Sequence, residues 1–266
     1  MKTISIVNQK GGVGKTTTSI NLSTAFAAIN KKTLIIDLDP QGNSSTGLGI
    51  NYDERKKNIY HALIGECDIN DVIIQTSIPS LNIVCADVNL SAAEIDLLQV
   101  RGREKVLKNI LTKLKSSYDF IFIDCPPSLN LLTVNAMSAS DSLLIPIQCE
   151  FFALEGLSHL LYTITLFKKN LNKSLYIEGV ILTMYDRRNK ITEQVEYEIR
   201  KHMKDKVFKT VIPRNIRLSE APSHGKPIVM YDIKSSGAIA YLKITREILE
   251  RNNINIRKEE KCTNQD

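Results

Sequence analysis

Short, nearly unbroken apolar runs alternate along the chain with stretches in which apolar residues recur every three or four positions. Residues 3–8, 33–37, 81–85, 120–124, 143–148 and 177–183 form the runs, and many of their residues are β-branched. A strand that is apolar on both sides of its pleat is buried on both faces, as in a parallel sheet covered by helices. Residues 207–212 read as a late edge strand. Helical periodicity covers residues 16–29, 102–114, 131–139, 154–171, 192–203 and 238–251. This succession predicts an α/β fold, one mostly parallel sheet with helices on both faces. No repeat, low-complexity stretch or Pro/Gly linker divides the pattern, so residues 1–251 are expected to form a single domain. From 252 to 266 the periodicity stops, and NNINIRKEEKCTNQD reads as a polar tail.

Composition narrows the class. The 266 residues are 43% hydrophobic and 24% charged, ample for a sizeable core. No run reaches the roughly 18 apolar residues that a membrane-spanning helix needs. MKTISIVN leads straight into a loop motif without room for a cleavable signal, so a cytoplasmic protein with no membrane anchor is expected. Cys67, Cys85, Cys125, Cys149 and Cys262 are scattered and odd in number, which reads as reduced thiols rather than a disulfide frame. His61, His159, His202 and His224 show no metal-ligand spacing. The net charge is +6, and residues 187–217 carry ten Lys and Arg against four Asp and Glu, an excess equal to that of the whole chain. Such concentration is the footprint of a polyanion partner, with a solvated helix face as the plain alternative.

Candidate chemistry begins at NQKGGVGKTT, residues 8–17. The common phosphate-loop pattern puts a glycine five places before Gly14, where this chain has Gln9, and has no place for Lys10. The context is nonetheless that of a phosphate loop, after a strand and opening a helix. Gly11, Gly12 and Gly14 let backbone N–H groups converge on phosphate oxygens, and the helix N-terminus adds partial positive charge. Lys15 is placed for the β- and γ-phosphates, and the Thr16 hydroxyl for Mg²⁺.

Two further runs end in acids. LIIDLDPQG carries Asp37 and Asp39, and FIFIDCPPS carries Asp124 followed by Pro126 and Pro127. Acids at the C-terminal ends of parallel strands face the crevice where ligands bind, and Asp124 has the setting of an acid that steers Mg²⁺. A lone strand-end Asp is often a helix cap, but three beside a phosphate loop point to a site.

The combination of KGGVGKTT, DLDPQGNSSTGLG and DCPPS resembles the deviant Walker A ATPases of the ParA/MinD group. VILTMYDRR and VIPRNIRLSEAPSHGKPIVMYD resemble its Soj/ParA branch, which partitions chromosomes and plasmids. The resemblance runs from residue 1 to about 249. It implies an ATP- and Mg²⁺-dependent ATPase, slow and stimulated by a partner, that dimerises on ATP. Lys10 then reaches across the dimer to the partner's nucleotide and, with Lys15 and Asp39, belongs to the catalytic set; Asp39 orients the attacking water. Residues Lys10, Gly11, Gly12, Val13, Gly14, Lys15, Thr16 and Thr17 hold the phosphates. Asp124 and Thr16 serve the metal, with Asp37 near its shell, and Pro213, Arg214 and Asn215 lie against the adenine. Arg188 and Arg217 match arginines that hold double-stranded DNA nonspecifically. A ParB-like partner and nucleoid association follow from the same resemblance.

Three other readings share the loop. A MinD-like ATPase anchors to membrane through a C-terminal amphipathic helix, and EILERNNINIRKEEKCTNQD has no sustained apolar face. An iron–sulfur carrier of the same fold needs paired cysteines, whereas Cys125 and Cys149 read as small buried residues. A regulator that positions a protein cargo or controls transcription remains the alternative to DNA partition.

Overall fold

A computed structural model describes residues 1–254. Seven strands form one sheet in the order β3-β4-β2-β5-β1-β6-β7. They are β1 (Lys2–Ile6), β2 (Thr33–Asp37), β3 (Ile73–Gln75), β4 (Leu81–Val84), β5 (Phe120–Asp124), β6 (Ser142–Gln148) and β7 (Tyr176–Thr183). All pairs are parallel except β3 with β4. The helices are α1 (Lys15–Ala27), α2 (Asn43–Gly47), α3 (Ile59–Ile64), α4 (Ala93–Asp96), α5 (Val106–Leu111) and α6 (Leu131–Ala139), followed by α7 (Ala153–Asn170), α8 (Lys190–Met203), α9 (Ile216–Glu220), α10 (Ile228–Tyr231) and α11 (Ser236–Arg251).

The alternation of side chains along β5 shows why both faces must be apolar. Ile121 and Ile123 enter one core with Leu132, Leu160 and Ile199, on the side of α6, α7 and α8. Phe120 and Phe122 enter the other core with Phe26 of α1 and Tyr241 of α11. The two layers seal the sheet, as the continuous apolar runs require.

The expected edge strand at 207–212 does not form. Isolated bridges join Val180 to Val207 and Tyr185 to Pro213, so six residue steps on this segment face five on β7. The extra residue loops out where the N–H groups of Lys209 and Thr210 donate to the Glu247 carboxylate at 2.8 and 2.9 Å. The expected helix at 102–114 shortens to α5 behind a single 3₁₀ turn, Arg103–Lys105. Most of the expected tail, from 255 onward, lies outside the described residues. Among those residues no helix is long and apolar enough to cross a membrane.

Register sets the site. Ile6 and Asp37 both stand level with Asp124, so β1, β2 and β5 end together. Their following loops share one edge of the sheet, the edge at which parallel α/β sheets bind ligands.

Candidate functional site: a phosphate-loop cavity

A cavity of about 560 Å³ opens at this edge, floored by the loop after β1 and walled by the segments after β2, β5 and β7. Gly12 and Gly14 take left-handed φ of 73° and 91°, which side chains rarely adopt. No side chain caps α1, so its first-turn N–H groups stay open to an anion. Gly11, Gly12, Gly14, Lys15, Thr16 and Thr17 all line the cavity. Val13 does not; it is buried, and its carbonyl accepts from the Thr183 hydroxyl at 2.8 Å, which pins the loop to β7.

The two lysines part company. Lys15 is 7% exposed, donates to the Lys10 carbonyl at 3.3 Å, and has its ammonium pKa lowered by burial despite Asp124 and Asp39 nearby. Lys10 lies outside the cavity wall, half-exposed, with its ammonium 2.5 Å from Glu150.

The three acids also differ. Asp39 lines the cavity and accepts from the Gln41 N–H at 3.0 Å. Asp124 is fully buried, accepts from Ser44 Oγ at 2.7 Å, and leaves its other oxygen without a hydrogen-bond partner. Burial raises its pKa, against the Ser44 and Thr16 hydroxyls. Asp37 stands farther back. Ser45 donates to one of its oxygens through Oγ at 2.7 Å and N–H at 2.9 Å, and the Asp39 N–H approaches the other at 3.3 Å. Burial, then the Asp124 charge, holds its carboxyl well above the usual range.

A buried carboxylate oxygen with no partner, beside the Thr16 hydroxyl, fits a hard cation. Among the described residues no group of three His, Cys, Asp or Glu could hold a metal alone. That donor set suits Mg²⁺, which keeps water and takes phosphate oxygens alongside one or two carboxylates.

At the far wall, Pro213, Arg214 and Asn215 line the cavity. Asn215 Nδ2 donates to Ser236 Oγ at 2.7 Å, whereas its buried Oδ1 has no partner. An orphaned acceptor there suits a ligand N–H.

Arg188 and Arg217 lie outside this wall, both exposed and both paired with acids. Arg188 grips Asp186 through Nε and Nη2 at 3.0 and 2.9 Å, while Arg217 lies 2.9 Å from Glu220 and 3.7 Å from Asp232. Cys125 and Cys149 are buried, with thiols that burial pushes far above their ordinary range.

Sequence reasoning missed Ser44, Ser45 and Glu150. The serines follow DLDPQGN directly, and two hydroxyls opening a helix beside two acids were the available signal. Glu150 offered none.

Comparison with known proteins agrees with this geometry. A family model described as an AAA domain matches residues 1–177. The chain is 52% identical over 253 residues to the chromosome partitioning protein ParA of Caulobacter vibrioides, covering 94% of this chain and 95% of that one. It is 53% identical over 247 residues to the sporulation initiation inhibitor protein Soj of Bacillus subtilis, covering 93% and 98%. It is similar in structure to a cobyrinic acid a,c-diamide synthase from Mycobacterium smegmatis with bound ATP analogue and magnesium, at 31% identity, a TM-score of 0.83 and coverage of 95% and 96%. Fold and site together define a phosphate-loop nucleotide-binding protein of the ParA/MinD superfamily. Within it, this chain belongs to the ParA/Soj family of partitioning proteins.

Proposed function

We propose that this chain is an ATP-timed partition switch: with ATP and Mg²⁺ it forms a homodimer, holds DNA nonspecifically, and loosens that hold when a ParB-like partner stimulates hydrolysis. The observation that carries the reading is the separation of the two loop lysines. Lys15 is buried in the cavity, whereas Lys10 stands outside its wall beside Glu150. A cation on the rim is placed for the phosphates of a facing copy, where it neutralises charge developing on the transferred phosphoryl group.

The other residues take their roles from position. The open N–H groups of Gly11 to Thr17 cradle the phosphates, and Lys15 meets the β- and γ-phosphates. Val13 shapes the loop through its bond from Thr183. Asn215 Oδ1 accepts from the adenine amine, with Pro213 and Arg214 beside the base. Thr16 and Asp124 would hold Mg²⁺, with Asp37 standing behind them. The ion supplies charge neutralisation at the phosphates. Asp39, fixed by the Gln41 N–H, orients the attacking water.

Arg188 and Arg217 contact DNA phosphates by exchanging their exposed acid partners. Pairing two such patches in a dimer joins their contacts, so ATP controls DNA affinity without refolding. The cargo is a chromosome or plasmid, and the protein is cytoplasmic and nucleoid-associated.

Light scattering tests the dimer. The protein is expected to be a monomer alone or with ADP and a dimer with ATP, while Lys10→Ala binds ATP and stays monomeric. A mass that ignores nucleotide, or dimers of Lys10→Ala, would refute the assignment.

A further inference from the structure

The basic segment 187–217 is not one patch. Arg188 and Arg217 lie with the segments that follow the C-terminal end of β7, at the nucleotide cavity. Lys204, Lys206 and Lys209 instead border a separate cavity of about 560 Å³ that includes Tyr176, the first residue of β7. Eight residues of strand put roughly 23 Å between the two ends.

This second cavity has a fixed frame. Arg251 lies 4.0 Å over the Phe208 ring and donates to the carbonyls of Glu178 and Val207 at 3.1 and 3.0 Å. Arg200 is held by Glu196 at 2.6 Å and by the Phe208 carbonyl at 3.1 Å. The close approach depends on Gly179, where a Cβ would meet Phe208 at 2.4 Å and the Lys206 carbonyl at 2.9 Å. Lys204 takes a left-handed φ of 47° with ψ of −121°, a strained backbone that keeps the lysine turn at the rim.

The charge at this frame is unbalanced. Glu178, the buried acid, is already met by Lys2 at 2.6 Å and by Asn252 at 2.7 Å. Asp205, and Glu247 whose carboxylate is taken up by the N–H groups of Lys209 and Thr210, then face Lys204, Lys206 and Lys209, whose exposed ammonium groups make no ion pair among the described residues.

We propose that this cavity is a second nucleic-acid contact, a site for phosphodiester groups that one subunit forms by itself. Ammonium groups act as hydrated point charges and bind phosphates without reading bases, so the contact is sequence-independent. It rests on the DNA reading above for the nature of its polyanion, and differs in place and in nucleotide dependence. Because no partner copy completes it, it works with and without ATP, giving the free monomer a weak grip on DNA that the dimer strengthens elsewhere.

The test is fluorescence anisotropy of the full chain on a labelled duplex of arbitrary sequence, across a salt series, nucleotide-free and with ATP. The parent is expected to bind weakly without nucleotide at low salt. In K204Q/K206Q/K209Q that binding is lost. With ATP the variant's log–log salt slope is shallower by about 2 to 3, near 0.9 per phosphate contact removed. Melting temperature and ATP affinity stay at parental values, since the three side chains anchor nothing. Arg217→Glu shows the converse, losing the ATP-dependent increase and keeping the weak binding. A triple variant with the parental slope, beside an Arg217→Glu that behaves as expected, overturns this site alone. A parent that binds no duplex in either state overturns the DNA reading and, with it, this assignment. Displacement of duplex by polyglutamate at lower charge concentration than by unlabelled DNA also overturns it, in favour of an acidic protein partner.

Discussion

Asp37 and Glu178 are 0% and 5% exposed and sit at opposite ends of one sheet. Burial pushes both carboxyl pKa values upward. Asp37 ends β2 level with Asp124, so a second acid adds to the upward shift, and the Ser45 and Asp39 donors do not cancel it. Glu178 is the extra residue at the β7 bulge, where hydrogen bonds from Lys2 and Asn252, the Lys2 charge and Ser142 outweigh burial and bring it below its usual value. One end therefore stores uncompensated charge, and the other has settled its buried charge internally and leaves three exposed lysines beside Asp205. Ligands that bring phosphate and a cation relieve the first end. Salt and polyanions act on the second.

Removing the cation that faces the buried acids at the nucleotide end has the largest expected effect. Lys15→Gln keeps the loop's length and removes the buried ammonium, so ATP affinity is expected to fall by about 100-fold or more, some 3 kcal/mol. Its nucleotide-free form stays as stable as the parent, because that ammonium carries a desolvation cost. Calorimetric titration and thermal melting give both numbers, and parental ATP affinity would remove Lys15 from the phosphate site. Asp39→Ala sharpens the same comparison. Hydrolysis is expected to drop by about 10² to 10⁴, the usual worth of a group that positions a proton transfer, with ATP affinity within a few-fold of parental. Single-turnover hydrolysis measures it; parental turnover would take Asp39 out of the chemistry.

The contrast also explains what the sequence made legible. Six strands could be read because each is apolar on both faces, as the Ile121/Ile123 and Phe120/Phe122 alternation requires. β3 escaped because Ile73–Gln75 is too short to show a period. Residues 207–212 look like a strand by composition, but pairing is a property of two segments, and the extra residue beside β7 appears in neither alone. The loop and the acids were readable because phosphate chemistry ties glycine, lysine and acid to fixed spacings. Spacing could not separate Asp39 at the cavity wall from Asp37 behind it, since burial and the Ser45 bonds decide that. The basic segment was visible as a count of charges, whereas its division between two ends depends on the direction of β7.

The smallest expected effect is the most direct test of the comparison, because the two buried acids should give stability slopes of opposite sign. Asp37 binds its proton more tightly in the fold than its ordinary pKa of about 3.9 allows in the unfolded chain. Its contribution is therefore present in acid and lost as pH rises towards neutrality, where the fold must carry a buried, repelled anion. Glu178 has its folded pKa depressed below the usual value of 4.5, so its contribution is present above that value and is lost as pH falls through the lower one. Melting curves without nucleotide, in chelator, are expected to show this split. Asp37→Asn raises the melting temperature at pH 8, by a few degrees, and flattens its fall between pH 5 and 8. Glu178→Gln lowers stability across that range, by about 1 to 3 kcal/mol for a buried charge-assisted partner lost, and abolishes the loss below pH 4.5 that is due to this residue. If Asp37→Asn melts at the parental temperature at pH 8, the nucleotide end stores no charge. If both variants lose stability alike there, the two ends do not differ in the way their geometry indicates.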